Sequence, residues 1–249
     1  MDGVMFWVLA GLAALLVGMS KGGLPVIGML GVPVLSLAIS PVAAAGVLLP
    51  IFVVSDMFGL WAYRRHFNAR VLKILIPATT AGVGLGWTTA SLVSEVFVTG
   101  LVGLIGASFA LSLLLRRGDR AAKLADVAPG LFWGAAAGFT SFVSHSGAPP
   151  YQVYVLPLRL EKAVFAGTST ILFAYVNAIK LIPYWALGQF SAANLMVSAW
   201  LLPVAAFAVF GGVQLVKILP EKLFFRLIVW ALLAVSLRLL WQAGAKLTA

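Results

Sequence analysis

Lys21, Lys180 and Asp56 are charged residues inside long apolar stretches of the sequence. An ionisable side chain within a membrane is costly to bury, so it marks a functional site by default. We expect Asp56 either to pair with Lys21 or Lys180 or to couple protons. His145, one of two histidines, interrupts an apolar stretch and is a second candidate for proton coupling.

Two short breaks interrupt the apolar sequence at places where glycine and proline cluster. The first reads SKGGLP at residues 20–25, and the second reads HSGAPP at residues 145–150. Glycine lets the backbone approach a ligand closely, and proline suits the first turn of a following helix. The N-terminus of such a helix carries free N–H groups and partial positive charge. We therefore predict an anion site at the bilayer midplane, built from both breaks.

The predicted site combines positive charge with hydrogen-bonding groups suited to anion oxygens. Two alternatives stay open, because Lys180 could extend to the membrane interface and hydroxyl groups are also common in helix packing. Asp56 and His145 are predicted to couple protons or to form an ion pair. The predicted substrate-binding residues are Lys21, Gly22, Gly23, His145, Ser146, Gly147, Thr168, Asn177 and Lys180.

The composition assigns these residues to a protein of the lipid bilayer. Of 249 residues, 62% are hydrophobic and 10% are charged, and the mean hydropathy is +1.07. A soluble domain carries roughly 25% charged residues, and a disordered chain needs high charge with low hydrophobicity. The sequence contains no cysteine, which excludes a disulfide scaffold and a cysteine-ligated metal site. The predicted fold is an all-α polytopic membrane protein.

The long apolar stretches have the length of membrane-spanning helices and not of barrel strands. The pieces after the two breaks, at about 26–39 and 151–158, are too short to span and predict half-helices or re-entrant segments. Six full spans are predicted at about 42–63, 71–93, 96–115, 163–186, 194–216 and 223–243.

The order of these elements repeats about half a chain apart. Single residues also match at one constant separation along the sequence. The matched pairs are Gly46 with Gly167, Asp56 with Asn177, and Tyr63 with Tyr184. We predict two homologous transmembrane repeats, residues 1–125 and 126–249, each with a broken or re-entrant segment followed by three transmembrane helices.

Most of the 17 Lys and Arg residues form four groups, at 64–73, 116–123, 159–162 and 217–226, within a net charge of +10. If all four groups are cytoplasmic, the two repeats have inverted orientations. Inversion requires that each broken region begin and end on one side of the membrane, as a hairpin or as two crossings. A parallel duplication with eight spans is the alternative. No signal peptide is predicted, because the first residues lack a basic region.

Several classes of function are not supported by any motif. No nucleotide-binding loop, metalloprotease motif or nucleophile elbow is present. Glycine spacings at 82–86, 100–106 and 134–138 are typical of close helix packing. We therefore predict no enzyme activity, no cofactor, no metal site and no nucleic-acid partner.

The motifs resemble those of the sulfite exporter TauE/SafE family of membrane permeases across almost the whole chain. From the first half, the resemblance rests on SKGGLP at 20–25, on Pro41, Ala44, Ala45 and Gly46, on Asp56, and on Tyr63 with Arg64. From the second half, it rests on GFTS at 138–141, HSGAPP at 145–150, Gly167, Thr168, Asn177, and KLIPY at 180–184. One departure is Ala148, where a second glycine is usual in the family.

The resemblance implies secondary transport of small sulfur-containing anions, such as sulfite or organosulfonates, across a bacterial inner membrane, often outward. It does not determine the substrate or the direction. An anion channel and a non-transporting membrane subunit are the alternative functions, and a homodimer is the oligomer to consider. The family knowledge agrees with the anion site predicted from the two breaks.

Overall fold

The computed structural model describes residues 3–89, 92, 94–115, 122–188 and 190–248. Within these residues the regular structure is helical and contains no strand, so the predicted all-α class is confirmed. Three cations of one predicted basic group, Arg116, Arg117 and Arg120, lie outside the described residues. The helices are α1 (Val4–Lys21), α2 (Gly31–Leu35), α3 (Pro41–Tyr63), α4 (Ala69–Thr88), α5 (Glu95–Leu115), α6 (Val127–Ser144), α7 (Ala148–Val155), α8 (Lys162–Ala186), α9 (Ala192–Ile218) and α10 (Glu221–Thr248).

Eight of the described helices are long and apolar enough to cross a membrane, all except α2 and α7. They include the six predicted spans and the two helices that precede the breaks, α1 and α6, of 18 residues each. After the breaks, the chain forms only short elements. These are a 3₁₀ turn at Ile27–Leu30 with the five-residue α2, and the eight-residue α7 with a 3₁₀ turn at Leu156–Leu158. The pieces after the breaks are therefore short, as predicted.

The predicted span 71–93 is too long at its C-terminal end. Helix α4 ends at Thr88, and the next described residues form a turn in which Leu92 N donates to Thr89 O. The hydroxyl groups of Thr88 and Thr89 both donate to Leu85 O, so this backbone carbonyl near the helix end has hydrogen-bond partners. Hydrophobicity continues beyond this end, so the apolar pattern alone does not reveal it.

Side-chain caps mark several helix starts. The Ser40 hydroxyl accepts a hydrogen bond from Ala43 N before α3, and Asn68 Oδ1 accepts one from Val71 N before α4. Ser191 accepts in the same way at α9. Such caps satisfy backbone N–H groups that have no partner within the helix.

The chain divides into two compact units, and each takes helices from both predicted repeats. The first unit is Met1–Phe67 with Ala163–Leu219, and the second is Asn68–Lys162 with Pro220–Ala249. The predicted repeats, 1–125 and 126–249, therefore do not coincide with the compact units. The repeat itself stays a prediction.

In the first unit, the chain reverses after Lys21 and returns along α1. A Cβ at Gly28 would lie 2.6 Å from Ser20 Oγ, and one at Gly31 would lie 3.0 Å from Val17 Cγ2. Farther along, Leu35 belongs to the same buried apolar cluster as Phe6 and other residues of α1. The first broken segment is therefore a hairpin.

Helices α3 and α8 of the first unit run antiparallel. Contacts between them pair later positions of α3 with earlier positions of α8. These contacts are Asp56 with Asn177, Gly59 with Thr170, and Tyr63 with Gly167. The C-terminal end of α3 therefore lies beside the N-terminal part of α8.

In the second unit, α7 returns along α6 to form another hairpin. Tyr154 Oη donates to Asp126 O at 3.0 Å, and Lys123 N donates to Pro157 O at 3.0 Å. Arg70 Nε, in the first turn of α4, donates to Ala125 O. The start of α4, the start of α6 and the end of the hairpin therefore lie at one end of this unit.

Most glycines of the predicted spacings are helix-packing positions, whereas nothing lies within 4 Å of a Cβ at Gly84. In the second unit, a Cβ at Gly82 would collide with Ala135 O, and a Cβ at Gly138 would collide with Thr79 O. Gly103 similarly faces Ser236 O, between α5 and α10. Small residues at these contacts let helix backbones approach closely, which is how membrane helices gain packing energy.

Candidate functional site

Lys21 and Asp56 form a buried ion pair at the first break. Lys21 Nζ lies 2.8 Å from Asp56 Oδ1, and the two side chains are 5% and 1% exposed. Lys21 is the last residue of α1, and Asp56 lies in the interior of α3. Of the two pairings that the sequence left open for Asp56, the direct contact is made with Lys21.

Asn177 completes the surroundings of the Asp56 carboxylate. Its Nδ2 donates to Asp56 Oδ2 at 2.9 Å, so the carboxylate faces an ammonium group and an amide group. These two residues are one of the matched pairs of the predicted repeat. The charged member and the neutral member of that pair are thus in direct contact.

Lys180 lies three residues after Asn177, on the same face of α8. Its side chain is 1% exposed. It lies close enough to interact electrostatically with both Lys21 and Asp56. The first unit therefore brings together Lys21, Asp56, Asn177 and Lys180, and we call these four residues the lysine cluster.

Residues that the sequence analysis missed hold the break in position. Tyr63 Oη donates to Gly22 O at 2.6 Å, and Thr170 Oγ1 donates to Lys21 O at 3.2 Å. Both acceptors are backbone carbonyl groups at the C-terminal end of α1, where the helix has no further N–H groups to donate to them. Lys21 Nζ also lies 4.9 Å from the centre of the Phe52 ring. The sequence analysis used Tyr63 as a marker of the repeat and of the family resemblance, because a sequence does not reveal which carbonyl a distant side chain reaches.

The two glycines of the first break have packing partners in the structure. A Cβ at Gly22 would lie 2.5 Å from Gly212 Cα, so this residue permits close contact with α9. Gly23 has a φ of 112°, and a Cβ there would lie 2.7 Å from Tyr63 Oη. Helix packing alone therefore explains why both positions are glycine. The contact of Gly22 and Gly23 with substrate stays a prediction.

Thr168 is fully buried on α8, and its hydroxyl donates to Val164 O at 2.6 Å within the same helix. This bond is a common way for threonine to satisfy its hydroxyl in a membrane helix. Its hydrogen is therefore directed at the backbone. The predicted contact of Thr168 with an anion stays a prediction.

The second break lies in the second unit, where His145, Ser146 and Gly147 form the turn between α6 and α7. His145 adopts a left-handed conformation, with a φ of 52°, and ends α6. Ser146 N donates to Thr140 O, and Ser146 Oγ donates to Ser144 O. Gly147 occupies the cap position before α7. The turn is thus held by hydrogen bonds from Ser146 to the C-terminal part of α6.

Gln152 is a polar residue of α7 that the sequence analysis did not select. It is completely buried, and neither its amide nitrogen nor its amide oxygen has a hydrogen-bond partner among the described residues. A buried amide without partners costs about 1–3 kcal/mol. A glutamine within the otherwise apolar piece 151–158 was the signal that could have identified it.

A comparison with known families decides what kind of protein carries these residues. A family model described as "Sulfite exporter TauE/SafE" matches residues 7–239, which include the lysine cluster and both breaks. The chain belongs to the sulfite exporter TauE/SafE family. The resemblance found in the sequence motifs is therefore confirmed. No curated protein and no solved structure gives a significant match.

Membership of the TauE/SafE family and the eight apolar helices make this chain a multi-pass membrane protein. TauE/SafE proteins are transporters and not enzymes, and their substrates are sulfite and other anions. The lysine cluster thus lies on helices of a TauE/SafE anion transporter. Two of its four residues are cations, a composition that suits such a substrate.

Proposed function

We propose that this TauE/SafE protein is a secondary permease that exports small sulfur-containing anions, such as sulfite or organosulfonates, across a bacterial inner membrane. The lysine cluster is the proposed binding site. The observation that carries the proposal is the burial of two lysines and one aspartate on apolar, span-length helices. Such charges are expensive in a membrane and are kept for substrate or ion pathways.

The chemistry of the lysine cluster fits an oxyanion. Lysine ammonium groups and the Asn177 amide are hydrogen-bond donors, and sulfite and sulfonate oxygens are acceptors. Asp56 Oδ1 lies 2.8 Å from Lys21 Nζ. An entering anion would compensate the second positive charge of the cluster, so that two anionic groups face the two lysines while substrate is bound.

Burial of the cluster favours a permease over a channel. Lys21 is 4% exposed and Lys180 is 1% exposed. Alternating access requires a site that can be closed to water, whereas a channel requires a continuous path for ions. We therefore propose alternating access around the lysine cluster.

The experiment that tests this function is efflux of sulfite from liposomes that contain the purified full-length protein. The wild type should release trapped sulfite, and Lys21→Met should reduce the rate at least tenfold because the ion pair and a substrate donor are lost. Lys222→Met is a matched control, since Lys222 is exposed at the start of α10. Normal efflux by Lys21→Met would mean that the proposed site is wrong.

The same liposomes separate the alternative functions. Unitary electrical currents would identify an anion channel, and absence of any anion movement would indicate a non-transporting subunit. An imposed pH gradient tests the proposed proton coupling through Asp56 and His145. Efflux that is independent of the gradient would contradict that coupling.

A further inference from the structure

Three charged side chains are buried among the residues that the structure describes, and all three belong to the first unit. They are Lys21, Asp56 and Lys180. The lysine cluster therefore holds two lysines and one aspartate. With all three groups ionised, the lysine cluster has one positive charge more than it has negative charges.

This excess of one charge has a consequence for the substrate. An uncompensated charge in a low-dielectric interior is strongly unfavourable, because its interaction with water has been lost. An anion with a single negative charge leaves the loaded cluster neutral. An anion with two negative charges leaves the loaded cluster with an excess negative charge, which is again unfavourable at this depth.

We propose that Asp56 is a specificity-determining residue that limits the transported anion to one negative charge. The proposal rests on the proposed function and refines its substrate class. Asp56 compensates one of the two lysines, so the bound anion compensates only the other. The preferred substrates are monovalent sulfur oxyanions, meaning hydrogensulfite rather than sulfite and organosulfonates with one sulfonate group. Anions with a fixed double charge, such as sulfate, are disfavoured.

The contact between Asp56 and Asn177 makes this proposal testable by exchange. The two side chains have nearly the same shape, and they are joined by a hydrogen bond of 2.9 Å. Asp56→Asn removes the negative charge, and Asn177→Asp adds a second one. The double variant Asp56→Asn/Asn177→Asp moves the charge across one hydrogen bond and keeps the total unchanged.

The probes are methanesulfonate and sulfate, which have similar tetrahedral shapes but differ by one negative charge. Their affinities for the purified full-length protein are measured by calorimetry at one pH and one ionic strength. The wild type should bind methanesulfonate at least about tenfold more tightly than sulfate, because one unit charge at close range outweighs that factor. Asp56→Asn should lower this preference at least tenfold.

The other two variants check that charge, and not shape, causes the change. Asn177→Asp should weaken binding of both anions at least about tenfold, since its cluster has no excess positive charge. The double variant should regain the wild-type preference for methanesulfonate. If the single variants do not fold, the wild type and the double variant still test the proposal. Both should bind methanesulfonate more tightly than sulfate, and loss of that preference in either protein would overturn the proposal.

Two different negative results have different meanings. Equal affinities in the wild type, or an unchanged preference in Asp56→Asn, would overturn the role of Asp56 and leave the anion site intact. Absence of binding of both probes to the wild type would contradict the anion site itself, and with it this proposal. Sulfite efflux from the liposomes would then show separately whether transport occurs elsewhere in the molecule.

Discussion

At the scale of single residues, Asp56 and Lys21 compensate each other's charge in the buried interior. Each is nearly inaccessible to solvent, and each is the other's oppositely charged partner. Removal of one member from a buried pair leaves an uncompensated charge, which typically costs about 3–5 kcal/mol. Removal of both charges costs less than the sum of the two single removals, because neither member of the pair is left without the other.

This asymmetry predicts the outcome of a double-mutant cycle. Asp56→Asn should lower the melting temperature clearly, and the double variant Lys21→Met/Asp56→Asn should lose less stability than the sum of the two single losses. Thermal unfolding of the detergent-purified proteins, followed by tryptophan fluorescence, measures this. The double variant also serves as a folded control for the efflux assay. Additive losses in the cycle would mean that the pair contributes little to folding.

At the scale of the helices, Gly59 permits α1, α3 and α8 to meet at the lysine cluster. A Cβ at Gly59 would lie 2.7 Å from Thr170 Cγ2 and 2.8 Å from Lys21 O. Both distances are shorter than ordinary van der Waals contact, and one of the neighbours is backbone. A side chain at this position must therefore push α1 or α8 away from α3.

Gly59→Ala should accordingly lower both the melting temperature and the efflux rate, the latter at least tenfold. Gly11→Ala is the matched control, since nothing lies within 4 Å of a Cβ at that position of α1. Alanine is the better helix former by about 1 kcal/mol, so Gly11→Ala should be neutral or stabilising. Equal behaviour of the two variants in both assays would show that the close approach at Gly59 is unimportant.

The helices also show how far sequence reasoning extends. Long apolar runs predict α3, α5 and α8 within a few residues, because burial in lipid requires that pattern. Lys21, Asp56 and Lys180 were found because charge is rare in such runs. The choice of Lys21 as the partner of Asp56 could not be predicted, since it depends on which helices pack together. For the same reason, the sequence did not reveal the hydrogen bond from Tyr63 to Gly22.

At the scale of the whole molecule, the hairpin geometry bears on membrane topology. In the second unit, Lys123 N donates to Pro157 O, so the second broken segment ends where it begins. Arg70, at the start of α4, donates to Ala125 O at the same end. This end carries basic residues from three of the predicted cytoplasmic groups, which favours its cytoplasmic location.

Single cysteines can test this topology directly, because the chain contains no cysteine of its own. In intact cells, an impermeant maleimide should label Leu92→Cys, which lies 81% exposed beyond the opposite end of α4. Lys123→Cys and Arg159→Cys should be labelled only after the membrane is opened. Labelling of Arg159→Cys but not of Lys123→Cys in intact cells would mean that the second broken segment crosses the membrane.

The hydrogen bond between Asp56 and Asn177 has a meaning for the history of the chain. The two residues are 121 positions apart, and the predicted duplication makes them descendants of one ancestral residue. Two newly duplicated copies would place identical residues in this contact. Paired aspartates repel each other, and paired asparagines leave Lys21 without its carboxylate. If the predicted duplication occurred, a change between aspartate and asparagine in one copy, which needs a single nucleotide substitution, would convert a symmetric ancestor into a protein with one defined charged centre.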